Sequence, residues 1–445
     1  MGRAHPRGSA GLTFPSPVPE YPDTDTDTAA AARIGFFVGK GGVGKSTMAA
    51  SAAVGSAGSG ERVLLVSTDQ AHSVGEILGR EIPVSAADEP VRIVAGAPGG
   101  YLDALALDTA GLVATAWRAT GPVVAAHFTD SDIGSLAPEE LSGLPGLAEV
   151  LALHSIARLA NSGRWDYLVV DCASTADALR MLTLPATFAD YLQRCWPRHR
   201  RLGGAIRDET HSAVINLVEA AGTSVEELAA LLGESDRVAA HVVLTPERVV
   251  IAEAERTLGA LALAGIRVAE VIVNQLLVTD GSFEYHNLPT HPAFDWYCAR
   301  LAEQQSVLEQ LQTRLGGVAC TVVAHAAGEP IGLAALAALF EESRRWAGQE
   351  PPVPLRPLVD REAGTGLDAI YRMRLQLPAL NTSELTLGRS GDDLVIGAAG
   401  LRRRIKLASV LRRCTVIGAA LRGSELTVRF RPDPQLWPVA VGERE

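Results

Sequence analysis

Residues 34–54 read IGFFVGKGGVGKSTMAASAAV, an apolar run, a glycine-rich loop and then a helical pattern. Gly39, Gly44, Lys45 and Ser46 stand at the spacing of a phosphate-binding loop. The chemistry explains the residue types. Backbone amides from Gly39, Lys40, Gly41, Gly42, Val43 and Gly44 must curl around phosphates that side chains would obstruct, and the following helix N-terminus favours negative charge. Lys45 is expected to bridge the β- and γ-phosphates, Ser46 to ligate Mg²⁺, and Thr47 to sit near the α-phosphate, so ATP and Mg²⁺ are the implied ligands. A chance glycine turn is the competing explanation, and the strand before the loop and helix after it argue against that. Lys40 adds a second lysine inside the loop.

Outward from this loop, between Arg33 and about Trp346, short apolar runs alternate with longer helical patterns. The expected strands are IGFFVG, VLLVST, YLVVDC, HVVLT, EVIVNQ and CTVVA. Runs this continuously apolar suit strands buried on both faces, as in a doubly wound, mostly parallel α/β sheet. LDALALDTAGLVATAW and AVINLVEAAGTSVEELAALL are expected to be amphipathic helices, packed in the core or lining a groove. Near Gln349 the composition shifts to EPPVPLRPLVD, whose prolines favour an extended linker. Beyond it Tyr371, Met373, Leu375 and Leu377 alternate with polar residues, as do Leu426, Val428 and Phe430, which implies a small β-sandwich. The expected organisation is a disordered tail over 1–32, a P-loop ATPase domain with helical insertions over 33–346, a linker over 347–368, a sandwich over 369–432 and a tail over 433–445.

The remaining composition narrows the class. A hydrophobic fraction of 47% over 445 residues is globular, and no run of about 18 apolar residues suggests a transmembrane helix. A formal charge of -11 argues against nucleic acid as a partner. Cys172, Cys195, Cys298, Cys320 and Cys414 are odd in number and scattered, which fits reduced thiols and a cytoplasmic location.

Phosphoryl transfer also needs a metal-holding acid and a group that orients the attacking water. Asp171 ends the apolar strand YLVVD, the arrangement of a Walker B acid for Mg²⁺, and Asp69 ends VLLVSTD near His72 and Ser73. In a doubly wound sheet, ligands gather outside the carboxyl ends of the strands, where both acids would lie.

Taken together, GKGGVGKST, VLLVSTDQAHS, DCASTADALRMLTLP at 171–185, PGLAE at 145–149 and the stretch 244–277 resemble the anion-transporting ATPase family. That family includes the arsenite-pump ATPase and the ATPase that targets tail-anchored membrane proteins. The resemblance implies a face-to-face homodimer in which Lys40 reaches the partner's nucleotide, Asp69 positions the hydrolytic water, and Asn274 contacts adenine. Four features depart from the family pattern. Ser174, Ala176 and Asp177 replace the usual Pro, Gly and His of the second switch. Asp295 and Cys298 in DWYC stand where the tail-anchor branch carries a zinc-binding pair, so no zinc is expected. Isolated cysteines also disfavour arsenite, and only four methionines, at 1, 48, 181 and 373, give weak support to an adaptable hydrophobic groove.

Residues 370–431 resemble the α-crystallin domain of small heat-shock proteins, on YRMRLQLPALNTSELTLGRSGDDLVI, RRRIKLASVL and GAALRGSELTVRF. Arg402, Arg403 and Arg404 precede an expected strand and read as a solvated edge that discourages strand pairing or as a dock for an acidic partner or phosphate. Val439 and Val441 in WPVAV resemble the short apolar tail motif of that group. The expected function is a dimeric, ATP-driven switch for a protein or membrane-associated client. A nucleotide-regulated holdase chaperone with slow or vestigial hydrolysis is the alternative, and a partitioning-type positioning ATPase is a third reading.

Overall fold

A computed structural model describes residues 31–69, 73–95, 99–128, 132–197, 209–277, 291–315, 317–347, 357–377, 385–398 and 401–437. The expected N-terminal tail up to residue 30, His72, prolines 351, 352 and 354, and Val439 and Val441 lie outside the described residues.

Ten strands form one sheet: β1 (Arg33–Val38), β2 (Arg62–Ser67), β3 (Val84–Ser85), β4 (Val91–Ala95), β5 (Tyr101–Leu107), β6 (Tyr167–Asp171), β7 (Val238–Leu244), β8 (Arg267–Leu276), β9 (Ala319–Ala324) and β10 (Arg344–Ala347). Their order is β10-β9-β8-β7-β1-β6-β2-β5-β3, with β4 pairing antiparallel to β5. β10 is antiparallel to β9, and the other pairings are parallel. All five residues of β6 are buried, as expected for a central strand covered on both faces. The helices are α1 (Lys45–Gly58), α2 (Ser73–Leu78), α3 (Thr109–His127), α4 (Pro138–Ser142), α5 (Leu147–Ala160), α6 (Thr175–Cys195), α7 (Glu209–Leu232), α8 (Arg248–Ala264), α9 (Pro292–Arg314) and α10 (Leu333–Glu342).

Each of the six expected strands is present. The segment LDALALDTAGLVATAW is not one helix, however: its first six residues belong to β5, and α3 starts only after Asp108. Asp108 caps α3 by accepting from the Gly111 amide at 2.8 Å, which satisfies a backbone donor at the helix start and sets the break. AVINLVEAAGTSVEELAALL lies within α7, as expected.

Among its described residues the C-terminal module is mostly β-strand. β11 (Leu358–Ala363), β12 (Ile370–Gln376), β16 (Cys414–Arg422) and β17 (Glu425–Pro432) form an antiparallel sheet in the order β11-β12-β17-β16. β13 (Thr386–Ser390), β14 (Asp393–Ala398) and β15 (Leu401–Lys406) form a second, and α11 (Ser409–Arg412) follows β15. The alternation decides which face is inside: Met373, Leu375, Leu426, Val428 and Phe430 are buried between the sheets. Within 347–368, expected to be linker, β11 supplies an edge strand paired to β12. Arg402, Arg403 and Arg404 lie inside β15 rather than before a strand, and SVL at the end of the expected strand run RRRIKLASVL is helical. The module's core also takes in Ala262 and Leu263 of α8, so it packs on the larger domain.

Candidate active site

The register of the sheet brings three strand ends to one place. Phe37 of β1 pairs with Asp171 of β6, and Ser67 of β2 pairs with the same residue. The Thr68 amide donates to the Asp171 carbonyl at 3.0 Å, and the Cys172 amide to the Phe37 carbonyl at 3.3 Å. The chain leaves β1 toward β2 on one side and leaves β6 toward β7 on the other, so this edge is a topological switch point.

The loop between β1 and α1 follows from its glycines. Gly42 and Gly44 have φ of 82° and 88°, in the left-handed region that glycine tolerates. A Cβ on Gly39 would stand 2.2 Å from the Val243 carbonyl oxygen, and one on Gly44 would stand 2.4 Å from Asn274 Nδ2. At Gly41 and Gly42 a Cβ would meet no protein atom within 4 Å. The loop therefore packs its back against β7 and β8 and leaves its front open. Lys45, only 7% exposed, donates from Nζ to the Lys40 carbonyl at 3.2 Å, so its ammonium is held within the loop.

Asn274 occupies the back of this loop. Its Nδ2 donates to the Val43 carbonyl at 3.0 Å, and its Oδ1 accepts from the Gln275 amide at 2.9 Å. Gln275 has a positive φ of 58°, and Gln304 of α9 supports the turn by accepting from the Leu277 amide at 2.8 Å. The side chain expected at adenine is thus engaged as a brace on the loop.

Asp171 is fully buried and its Oδ1 has no hydrogen-bond partner. Ser67 Oγ lies 3.5 Å from Oδ2 and also accepts from the Asp69 amide at 3.2 Å. Burial pushes the Asp171 carboxyl up to about 6, against the pull of the Ser46 hydroxyl and the Lys45 ammonium, and Asp69 adds to the rise. Ser73 of α2 donates to Ser46 Oγ at 3.2 Å. An orphaned carboxylate oxygen beside a serine hydroxyl is an oxygen donor set that suits Mg²⁺.

The other expected residues divide between this centre and its rim. Lys40 is partly exposed, and its Nζ lies 4.0 Å from Glu253 Oε2 of α8. Glu253 Oε1 accepts from Thr175 Oγ1 at 3.3 Å, which links the loop to the segment after Asp171. Asp177 is committed locally. It accepts from Ser174 Oγ at 2.6 Å and pairs with Arg180, which also bonds Glu149 at 2.8 Å. Ser67 and Ser73 belong to the string VLLVSTDQAHS but were given no role there, and Glu253 was not singled out. Asp295 and Cys298 lie in the first turns of α9, far along the chain from this edge. Cys172, Cys320 and Cys414 are buried, whereas Cys195 and Cys298 are exposed.

Comparison with known proteins agrees with this geometry. A family model described as anion-transporting ATPase matches residues 32–342, and one described as an HSP20-like domain found in ArsA matches residues 368–430. Protein Rv2184c of Mycobacterium tuberculosis is 56% identical over 418 residues, covering 93% of this chain and 100% of that protein. A putative arsenical pump-driving ATPase 1 of Aquifex aeolicus is 22% identical, covering 89% of this chain and 99% of the relative. An ATPase ASNA1 homolog of Cryptosporidium parvum is 27% identical, covering 54% and 64% respectively.

Proposed function

Because the chain belongs to the anion-transporting ATPase family, we propose that it is an Mg²⁺-dependent ATP hydrolase whose paired subunits act as a nucleotide-driven switch for a protein or membrane-associated client. The observation that carries this reading is the open front of the Gly41–Gly42 loop beside the buried, unpartnered Asp171 Oδ1. The loop amides and Lys45 hold the phosphates, with Thr47 at the α-phosphate. Ser46 and Asp171 would hold Mg²⁺, which would supply charge neutralisation at the phosphates. Asp69 orients water from the end of β2, where the Ser67 hydroxyl fixes its backbone amide. Lys40, whose ammonium lies 4.0 Å from Glu253, would exchange that partner for a phosphate of the facing subunit. A cation supplied in trans stabilises the transferring phosphoryl group, as an arginine finger does.

Among the described residues no helix is long and apolar enough to cross a membrane, so a membrane client would be met at its surface or through a partner. The test is phosphate release by the purified chain with Mg·ATP. Turnover that needs Mg²⁺ and is lost in Lys45→Ala is expected. Lys40→Ala should also abolish turnover, by about 10³-fold or more if it acts as a finger, while nucleotide binding stays nearly intact. Unchanged turnover in Lys40→Ala would falsify the trans role.

A second reading, a nucleotide-regulated holdase with slow hydrolysis, is favoured by one observation. Asp177 stands where the family carries an imidazole, and its carboxylate is taken up by Ser174 and Arg180. Protection of a model client from aggregation that survives Lys45→Ala in the full chain would support it. Protection that requires Mg·ATP turnover would sink it.

A further inference from the structure

Of the arginine run 402–404, Arg402 is exposed, whereas Arg403 and Arg404 reach the larger domain, Arg404 while also pairing with Asp393 of its own module at 3.3 Å. Arg403 Nη1 donates to the Ala262 carbonyl of α8 at 2.9 Å, and Arg404 Nε lies 3.9 Å from Asp190 Oδ2 of α6. Gly265, at φ 80°, ends α8, and a Cβ there would stand 3.0 Å from Arg403 Nη2. The last turn of a helix offers unsatisfied carbonyls and partial negative charge, which a guanidinium complements. Arg403 is held in this way, although burial lowers its guanidinium to about 10. Beside it lies a cavity of about 140 Å³ lined by Leu182, Ala186, Leu232, Gly233, Gly265 and Arg403, so α6, α7 and α8 meet the module around one small void.

The same two helices begin at the nucleotide edge. α6 starts at Thr175, four residues after Asp171, and runs to the turn that carries Asp190. α8 carries Glu253, tied to Thr175 and Lys40, and nine residues later its Ala262 and Leu263 are buried in the module's core. Nine helical residues span only about 14 Å. A close-packed helix transmits a shift at one end to the other rather than absorbing it.

We propose that the C-terminal sandwich is docked on the far ends of α6 and α8 through Arg403 and Arg404, and that nucleotide occupancy and this docking are linked. The proposal rests on the nucleotide reading of the 39–47 loop. Linkage is reciprocal: if nucleotide changes the docking, disrupting the docking changes nucleotide affinity by the same factor.

Hydrogen exchange on the full chain, with and without Mg·ATPγS, tests both statements separately. Amides of 39–47 should slow on addition of nucleotide, and amides of 401–406 and 258–266 should change their exchange by about threefold or more. In Arg403→Ala the response of 401–406 should vanish while protection of 39–47 persists, and the Kd for Mg·ATPγS should move by about fivefold. Arg403→Lys, which keeps the charge but not the forked donor, should fall between. Protection of 39–47 with an unchanged 401–406 in the wild type overturns the linkage and leaves the nucleotide reading standing. Unprotected 39–47 overturns both. The wild-type comparison decides the matter whether or not the variants fold.

Discussion

Asn274 offers a sharp distinction between bracing the loop and reading the base. Replacing it with alanine removes the bond to the Val43 carbonyl and leaves the Gln275 amide without its acceptor. Each orphaned buried backbone group costs about 1–3 kcal/mol, so the unfolding free energy should fall by about 2–4 kcal/mol. The Val43 bond is the part that shapes the loop. Losing about 1–2 kcal/mol there should weaken any ligand held by the loop amides about five- to thirtyfold. Asn274→Asp keeps the volume and the acceptor for Gln275 but turns an oxygen toward the Val43 carbonyl, so it isolates the loop contribution.

The assay is calorimetric titration with Mg²⁺ and ATP, GTP or inorganic tripolyphosphate. A brace predicts that all three weaken by a similar factor in both variants. A loss confined to ATP, with tripolyphosphate unaffected, would place Asn274 at the base and refute the bracing argument. Gly44→Ala should reproduce the uniform loss, since its Cβ would stand 2.4 Å from Asn274 Nδ2 and push the same amide aside.

Three further outcomes follow from packing and charge. Gly35→Ala would set a Cβ 2.3 Å from the Tyr167 hydroxyl oxygen in the middle of the sheet, and thermal melts should show a loss of about 1–3 kcal/mol, with recovery in Gly35→Ala/Tyr167→Phe. The Arg62 hydrogen bonds hold the Asp166 carboxyl below its ordinary value of 3.8, so they add stability that is fully present above that value and is lost as pH falls through the lower folded value. Melting temperatures of wild type and Asp166→Asn should therefore converge on acidification, and a gap that widens instead would reverse the sign of the argument. A fragment of residues 369–432 lacks β11 and leaves the β12 edge unpaired, so it should melt lower or aggregate more than a fragment of 357–437; equal behaviour would show that β11 contributes nothing.

Legibility in the sequence tracked the range of the interactions. β1, β2, β6, β7, β8 and β9 could be read because strands buried on both faces must be apolar throughout, and that is a local property. β5 was hidden by Asp103 in its middle, which looked like the polar side of a helix. In the structure Asp103 is buried, accepting from Trp165 Nε1 at 3.0 Å and pairing with Arg92, partners that no local pattern supplies. The loop glycines, Lys45 and Asp171 were legible because phosphate and metal chemistry restrict residue type at fixed spacing. The Asn274 brace joins positions 231 residues apart, and Glu253 meets Lys40 only because α8 folds back over the loop. Arg403 looked like a strand-edge charge because its partner, the end of α8, is 141 residues away.

The departures at the second switch acquire a physical meaning from this arrangement. Ser174 caps α6 by accepting from the Asp177 amide, while the Asp177 carboxylate accepts from the Ser174 hydroxyl and pairs with the Arg180 guanidinium. Arg180 in turn holds Glu149, whose other oxygen accepts from the Gly146 amide at the start of α5. An acid in the first turn of a helix is favoured by the helix dipole, so Asp177, capped by Ser174, stabilises a defined α6 start that an imidazole at that position would not. A shift of the segment after Asp171 must then either carry α6 and the PGLAE segment together or break the pairs at Arg180. On the proposed linkage, α6 would carry that shift toward Asp190 and the docked sandwich past Pro185, which removes one backbone donor from the helix. The residues at 174 and 177 would then favour a tight start of α6 over a flexible hinge beside the loop.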